Sequence, residues 1–136
     1  MSRPPLPGEV AAFLARPNHA TMSTVRRDGQ PVSVPTWYLF EDGRVVVNLD
    51  AGRTRLAHLR REPRVALSAM DPDDWITHVS LQGHVVELLD DTDLHDIDRI
   101  ARHYTGKPYR VRDRPRVTAH IEVDRWHAWG RLKGAR

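Results

Sequence analysis

The sequence predicts a mainly β domain: a small β-barrel of six to seven mostly antiparallel strands with a few short helices. Three observations lead there. Two runs rich in β-formers each end near an Asp-Gly turn, Asp28-Gly29 and Asp42-Gly43, the strongest short-range hairpin signal. Helical spacing of apolar residues is confined to three short segments, so the strand–helix alternation of a parallel sheet is missing. Finally, 136 residues suffice for one core and not for two, and a sheet of this size escapes edge exposure by closing. The whole of 1–136 therefore reads as a single domain with its core at about 9–130.

The elements follow in order. Gly8–Ala15 sets Val10, Phe13 and Leu14 at helical spacing and is stopped by Arg16-Pro17-Asn18. His19–Arg26 is the first strand. Pro31–Phe40 alternates Val32, Val34, Thr36, Tyr38 and Phe40 against its other face, and a third strand ends at Asp50, so 19–50 reads as a three-strand meander. Pro35 removes a ladder donor from the second strand, which predicts a bulge or an opening there, or else an edge strand. A short basic helix runs to Glu62-Pro63, and Arg64–Met70 is a fourth strand. Asp71–Asp74 is a loop, and Trp75–Leu89 is a long strand bent at Gly83. Asp90–Tyr104 is a helix, capped by Asp91 or Thr92 and closed by Gly106, with Leu94, Ile97, Ile100 and Ala101 inward. Tyr109–Pro115 is a charged loop, Arg116–Val123 a sixth strand and Trp126–Gly130 a short seventh. The tail Arg131–Arg136 is expected to fray.

Bulk composition narrows the classes. Residues are 40% hydrophobic and 29% charged, with net charge +3 and no cysteine. No apolar run nears the roughly 20 residues that span a bilayer, and no signal-peptide core follows Met1. A soluble, cytoplasmic protein without a membrane partner is expected. The basic residues are dispersed, without the aromatic–basic interleaving of a nucleic-acid surface, so no nucleic-acid partner is expected. Zero cysteine removes disulfides and thiolate metal sites.

Asn48 to Arg64 carries the most chemistry. An apolar strand delivers Gly52, Arg53, Thr54 and Arg55 to a helix start, which combines free backbone N–H groups, the positive helix end, a hydroxyl and two guanidiniums. Phosphate is the natural guest, although a basic helix is most often a solvated face. The eight histidines show no metal-ligand spacing, so no metal is expected. Neither a Gly-x-Ser-x-Gly elbow nor a Gly-rich nucleotide loop occurs. No catalytic side chain emerges, and redox or transfer chemistry would have to come from an organic cofactor. Trp37, on the Pro35 strand, can wall a planar group; Trp129 reads as filling.

In order and spacing, Ala20–Val25 with Arg27-Asp28-Gly29, Val34–Trp37, Asn48, Gly52–Arg55, Leu59–Leu67, Asp71–Asp74 and Trp126–Gly130 resemble the pyridoxamine 5′-phosphate oxidase-like family, in its branch dependent on the deazaflavin coenzyme F420. The resemblance implies a split β-barrel working as a homodimer, with cofactor sites in grooves between subunits. It implies that Val34, Pro35, Thr36 and Trp37 contact the ring system, with Asn48 lining the same groove. Gly52, Arg53, Thr54 and Arg55 match the phosphate-binding segment. By similar placement, Trp75 or Ile76 and Arg116 would reach the site from the other subunit. The implied activity is hydride transfer between reduced F420 and an electron-poor small molecule. FMN is the alternative cofactor, and a non-catalytic cofactor-binding protein the alternative function. A groove lined by Arg53, Arg55, Arg60 and Arg116 holds more charge than one phosphate needs, which favours F420.

Overall fold

A computed structural model describes residues 1–135; Arg136, the last residue of the expected tail, lies outside the described residues. The strands are β1 (His19–Val25), β2 (Pro31–Thr36), β3 (Leu39–Glu41), β4 (Arg44–Asp50), β5 (Arg64–Asp71), β6 (Asp74–Asp90) and β7 (Arg116–Trp129). The helices are α1 (Gly8–Leu14), α2 (Thr54–Arg61) and α3 (His95–Thr105). All seven strands form one antiparallel sheet in the order β2-β1-β5-β6-β7-β4-β3.

That order dictates closure. β2 and β3 occupy opposite ends of the sheet yet are separated in sequence only by Trp37 and Tyr38. Laid flat, seven strands at about 4.8 Å spacing would part their edges by nearly 30 Å, whereas a short link of this kind reaches about 10 Å. The sheet must therefore curl until its edges meet, and the barrel is split at that crossing. Tyr38 pins it from inside: fully buried, its hydroxyl donates to the Leu14 carbonyl at 2.8 Å and accepts from Asn18 Nδ2 at 3.0 Å.

Several expectations are corrected here. The predicted strand Pro31–Phe40 is two strands, so 19–50 is not a meander but two hairpins, β1–β2 and β3–β4, at opposite edges. Their turns are those predicted, with Gly29 at φ 88° and Gly43 at φ 73°, a backbone region where glycine carries no Cβ penalty. Pro35 makes no bulge; it pairs in register with Thr21, and its strand is an edge. The sixth and seventh predicted strands are one, β7, because β6 pairs along it from Val117 to Trp129 across two register shifts. At one of these Gly83 lies against the Glu122 carbonyl, where a Cβ would come within 2.3 Å. Asp71–Asp74 is a tight turn rather than a loop, with the Asp71 carboxylate accepting from the Asp73 amide at 2.8 Å. The tail does not fray at its start: Gly130–Leu132 forms a 3-10 turn that buries Leu132.

The core is the barrel interior. Val10, Phe13 and Leu14 of α1 join it, in one cluster with Val47 and Leu49 of β4, Leu67 of β5, Leu81 of β6 and Ile121 of β7. α3 starts later than predicted, at His95 after a 3-10 turn over Thr92–Leu94. Asp91 still caps it, because its carboxylate accepts from the Asp96 and Ile97 amides at 2.8 and 2.9 Å. No helix among the described residues is long and apolar enough to cross a membrane.

Candidate functional site

Two hollows meet beside the barrel crossing and share Pro35, Arg55, Tyr109 and Arg116. The first, of about 590 Å³, is aromatic and is walled by the end of β2, Trp37, Asn48 and α3. The second, of about 670 Å³, is basic and lies over the start of α2, between Arg26 and Arg53. Each has the size of a small-molecule pocket, roughly 300–1,000 Å³.

Trp37 owes its position to the strand break. Released from the ladder after Thr36, it stacks on Tyr104 of α3, with centroids 5.3 Å apart and 11° between planes. Tyr109 meets it edge-on at 6.3 Å. The Tyr104 hydroxyl donates to the Asn18 carbonyl at 2.7 Å, and burial pushes it up to about 12. Three rings from three separate elements thus hold one another in an apolar wall.

The basic hollow is built on the α2 start. Asp50 ends β4, and its carboxylate accepts from the Gly52 amide at 2.9 Å and from Arg114 at 3.1 Å. These two contacts hold the Asp50 carboxyl below its ordinary range, the Gly52 amide contributing most. Arg53 is the N-cap residue, in extended conformation and without a side-chain cap bond. The Leu56 amide bonds the Arg53 carbonyl at 3.1 Å, while the Thr54 and Arg55 amides before it have no acceptor among the described residues and are free for a ligand. Arg61, at the far end of α2, donates to the Val25 carbonyl and ties the helix to β1.

Arg55 is half-buried, and its Nη1 is sealed from solvent without a hydrogen-bond partner. Burial first, then the Arg53 and Arg116 cations, pushes its guanidinium below the ordinary value. Among the described residues no carboxylate pairs with Arg53, Arg55 or Arg116. Arg116 is held instead by neutral groups: its Nε donates to Asn48 Oδ1 at 2.6 Å, and its guanidinium lies 4.8 Å over the Tyr109 ring. Asn48 Nδ2 in turn donates to Asp91 at 3.0 Å and Thr118 at 3.1 Å.

The predicted residues divide accordingly. Val34 faces the basic hollow, Pro35 both hollows, and Thr36 and Trp37 the aromatic one; Arg53, Thr54 and Arg55 line the basic side. Asn48 lines the aromatic hollow, but its amide is fully engaged with Arg116, Asp91 and Thr118. Gly52 lines neither hollow, and its N–H is spent on Asp50. Arg116, expected from a partner subunit, is in this chain's own groove, since β7 pairs with β4 and sets Arg116 opposite Asp50. Arg60 is exposed and outside both hollows. Trp75 and Ile76, 71% and 53% exposed, stand beyond the β5–β6 turn away from both.

Sequence reasoning missed Tyr104 and Arg26 and passed over Tyr109. Tyr104 had a signal, being seven residues after Ile97 and four after Ile100 on the inner stripe of α3. Among the described residues no group of three His, Asp or Glu side chains is disposed to hold a metal.

Comparisons with known proteins bear on this geometry. The family model described as pyridoxamine 5′-phosphate oxidase matches residues 6–130. No curated protein matches the chain. Among solved structures, one named F420 reductase superposes with TM-score 0.81 at 21% identity, covering 89% of this chain and 98% of its own. A conserved hypothetical protein from Mycobacterium tuberculosis gives TM-score 0.71 at 27% identity, over 93% of this chain and 86% of that one. A FAD-binding protein from Mesorhizobium loti gives 0.62 at 22% identity, over 87% and 89%.

Proposed function

Since the chain belongs to the pyridoxamine 5′-phosphate oxidase family, we propose that it is an F420-dependent oxidoreductase acting on an electron-poor small organic molecule. The observation that carries this reading is Arg55, a partly buried cation with an orphaned Nη1, beside Arg53 and Arg116 where an aromatic and a basic hollow join. Desolvated positive charge without a counter-ion is unfavourable until an anion arrives. A flat ring with an acidic arm occupies both hollows at once. The site residues fit such a group: Trp37, Tyr104 and Tyr109 face its ring, and Arg53, Thr54 and Arg55 face its phosphodiester.

When bound, the deazaflavin supplies the hydride chemistry. The chain's own tasks are binding, orientation and exclusion of water. Arg53 and Arg55 grip the arm through charge-assisted contacts, and the Thr54 hydroxyl adds a directional one. Asn48 holds Arg116 at the seam, and the stacked Trp37–Tyr104 pair gives the ring a fixed wall.

FMN fits the charge less well. Arg26, Arg53, Arg55 and Arg116 all face the groove; Asp28 answers Arg26 at 3.4 Å and Asp50 is held by Arg114, which leaves Arg53, Arg55 and Arg116 without a carboxylate among the described residues. Three unpaired cations suit a phosphodiester with a carboxylate-rich tail better than one phosphate. The structure named F420 reductase supports the same choice. We also take the protein to be a homodimer, in which the exposed Trp75 and Ile76 serve the partner's groove.

Titration of the purified protein with F420 and with FMN tests the reading, with gel filtration for the dimer. F420 binding and F420-dependent reduction across a panel of quinones and enones is the expected result. Protein that binds FMN alone, or that binds F420 without turnover on any acceptor, overturns it in favour of a flavin enzyme or a carrier.

A further inference from the structure

One buried ring at the basic hollow is left without a role by the contacts above. His58 lies one helical turn beyond Thr54, on the same face of α2. It is only 7% exposed, and it lines the basic hollow. Its Nδ1 is 3.0 Å from the hydroxyl of Thr24, a β1 residue that is 1% exposed.

The hydrogen-bond network selects one tautomer. Among the described residues the Thr24 hydroxyl hydrogen has no acceptor other than His58 Nδ1. Reversing the bond would leave that buried hydrogen unpaired, at a desolvation cost that the observed arrangement avoids. Thr24 therefore donates, Nδ1 accepts, and the single N–H of the neutral imidazole is on Nε2. Nε2 has no partner among the described residues and is not among the polar atoms sealed from solvent, so it keeps accessible surface on a ring that lines the hollow.

We propose that His58 is a ligand-binding residue, its Nε2–H donating to an anionic oxygen of the arm, and that Thr24 is the positioning residue that puts the proton there. The proposal rests on the reading that an acidic arm lies in the basic hollow. Its chemical sense is that Arg53, Arg55 and Arg116, none of them paired with a carboxylate among the described residues, already crowd the site with positive charge. A neutral donor adds a directional bond to phosphoryl or carboxylate oxygen without adding to their repulsion.

The test combines ring ¹⁵N–¹H correlation spectra of the wild-type protein with F420 titrations of H58Q, H58F and T24V, each checked by thermal melting. The expected spectrum shows Nε2 protonated, and its signal shifts when F420 or inorganic phosphate is added. H58F should weaken F420 binding about tenfold or more, the scale of a hydrogen bond to a charged group. H58Q, whose carboxamide still donates, should recover most of that loss. T24V should lose less than H58F and should lose the Nε2–H signature, which a purely structural threonine would leave in place. An Nδ1–H tautomer, an Nε2 signal unmoved by either anion, or a folded H58F that binds F420 like wild type overturns the assignment. If phosphate shifts Nε2 while F420 does not bind, the cofactor reading fails and the role of His58 stands.

Discussion

Beside α3, Arg99 holds Glu41 at 3.0 Å and Asp96 at 3.2 Å, and Arg112 holds Asp98 at 2.9 Å. Around the groove, Arg53, Arg55 and Arg116 have no carboxylate among the described residues, and Arg55 Nη1 has no partner of any kind. The same side chain thus occupies two environments a few residues apart along the charged loop and β7. Where a carboxylate answers it, the arginine is structural: Arg112 and the Tyr109 amide both bond Asp98 and anchor the loop that carries Tyr109 to the groove. Where none answers, the folded protein keeps an unmet electrostatic demand at a concave surface. That demand makes the groove a site rather than a crevice.

The sharpest way to break this comparison is to exchange the two classes. Arg55→Ala should weaken F420 binding by about 1.5–3 kcal/mol, the range for hydrogen bonds to charged groups. It should leave the thermal midpoint of the ligand-free protein unchanged or raised, because it removes a desolvated, unpaired cation. Arg112→Ala should do the reverse, lowering the midpoint with little effect on affinity beyond looser packing of Tyr109. Arg112 is half exposed, so its pair is worth up to about 1 kcal/mol. If both variants lose stability and neither loses affinity, the division is wrong.

Asn48 stands between the classes, joining Arg116 of the groove to Asp91, which caps α3. Asn48→Leu should cost about 1–3 kcal/mol in chemical denaturation, since it strips a donor from buried Asp91 and Thr118. It should also weaken F420 binding by freeing Arg116. An affinity unchanged in a folded variant would show that Arg116 does not need its amide.

The smallest effect is on pH. Hydrogen bonds from Arg112 hold the Asp98 carboxyl below its ordinary value, and those from Arg99 do so for Glu41. At Asp96 burial pushes upward, but bonds from Thr118 and Arg99 outweigh it and the carboxyl also falls. A carboxylate depressed in the folded state contributes stability above its unfolded value, near pH 4, and loses it as pH falls through the folded value. The thermal midpoint should therefore hold from neutrality to about pH 4 and drop below it. Arg112→Ala should make that drop shallower, and an equal slope in both proteins would detach Asp98 from the effect.

The local features of this chain are legible in its letters, because the atoms that decide them are neighbours in sequence. Asp28-Gly29 and Asp42-Gly43 make turns through their own backbone, Glu62-Pro63 stops α2, and Gly52–Arg55 brings charge to a helix start. The barrel, the three helices and the Arg53–Arg55 part of the site follow from these. Other features depend on contacts made across long stretches of chain. The break at Trp37–Tyr38 comes from the barrel's two edges having to meet, which no local pattern reports, and only that break frees Trp37 to stack on Tyr104. Pairing of β7 with β4 brings Arg116 to Asn48, 68 residues away in sequence. The loop geometry gives Arg112 to Asp98 and leaves Arg55 unanswered. Sequence determined which charges exist and which turns deliver them; tertiary structure alone decided which would be neutralised, because counter-ions are chosen by distance in space.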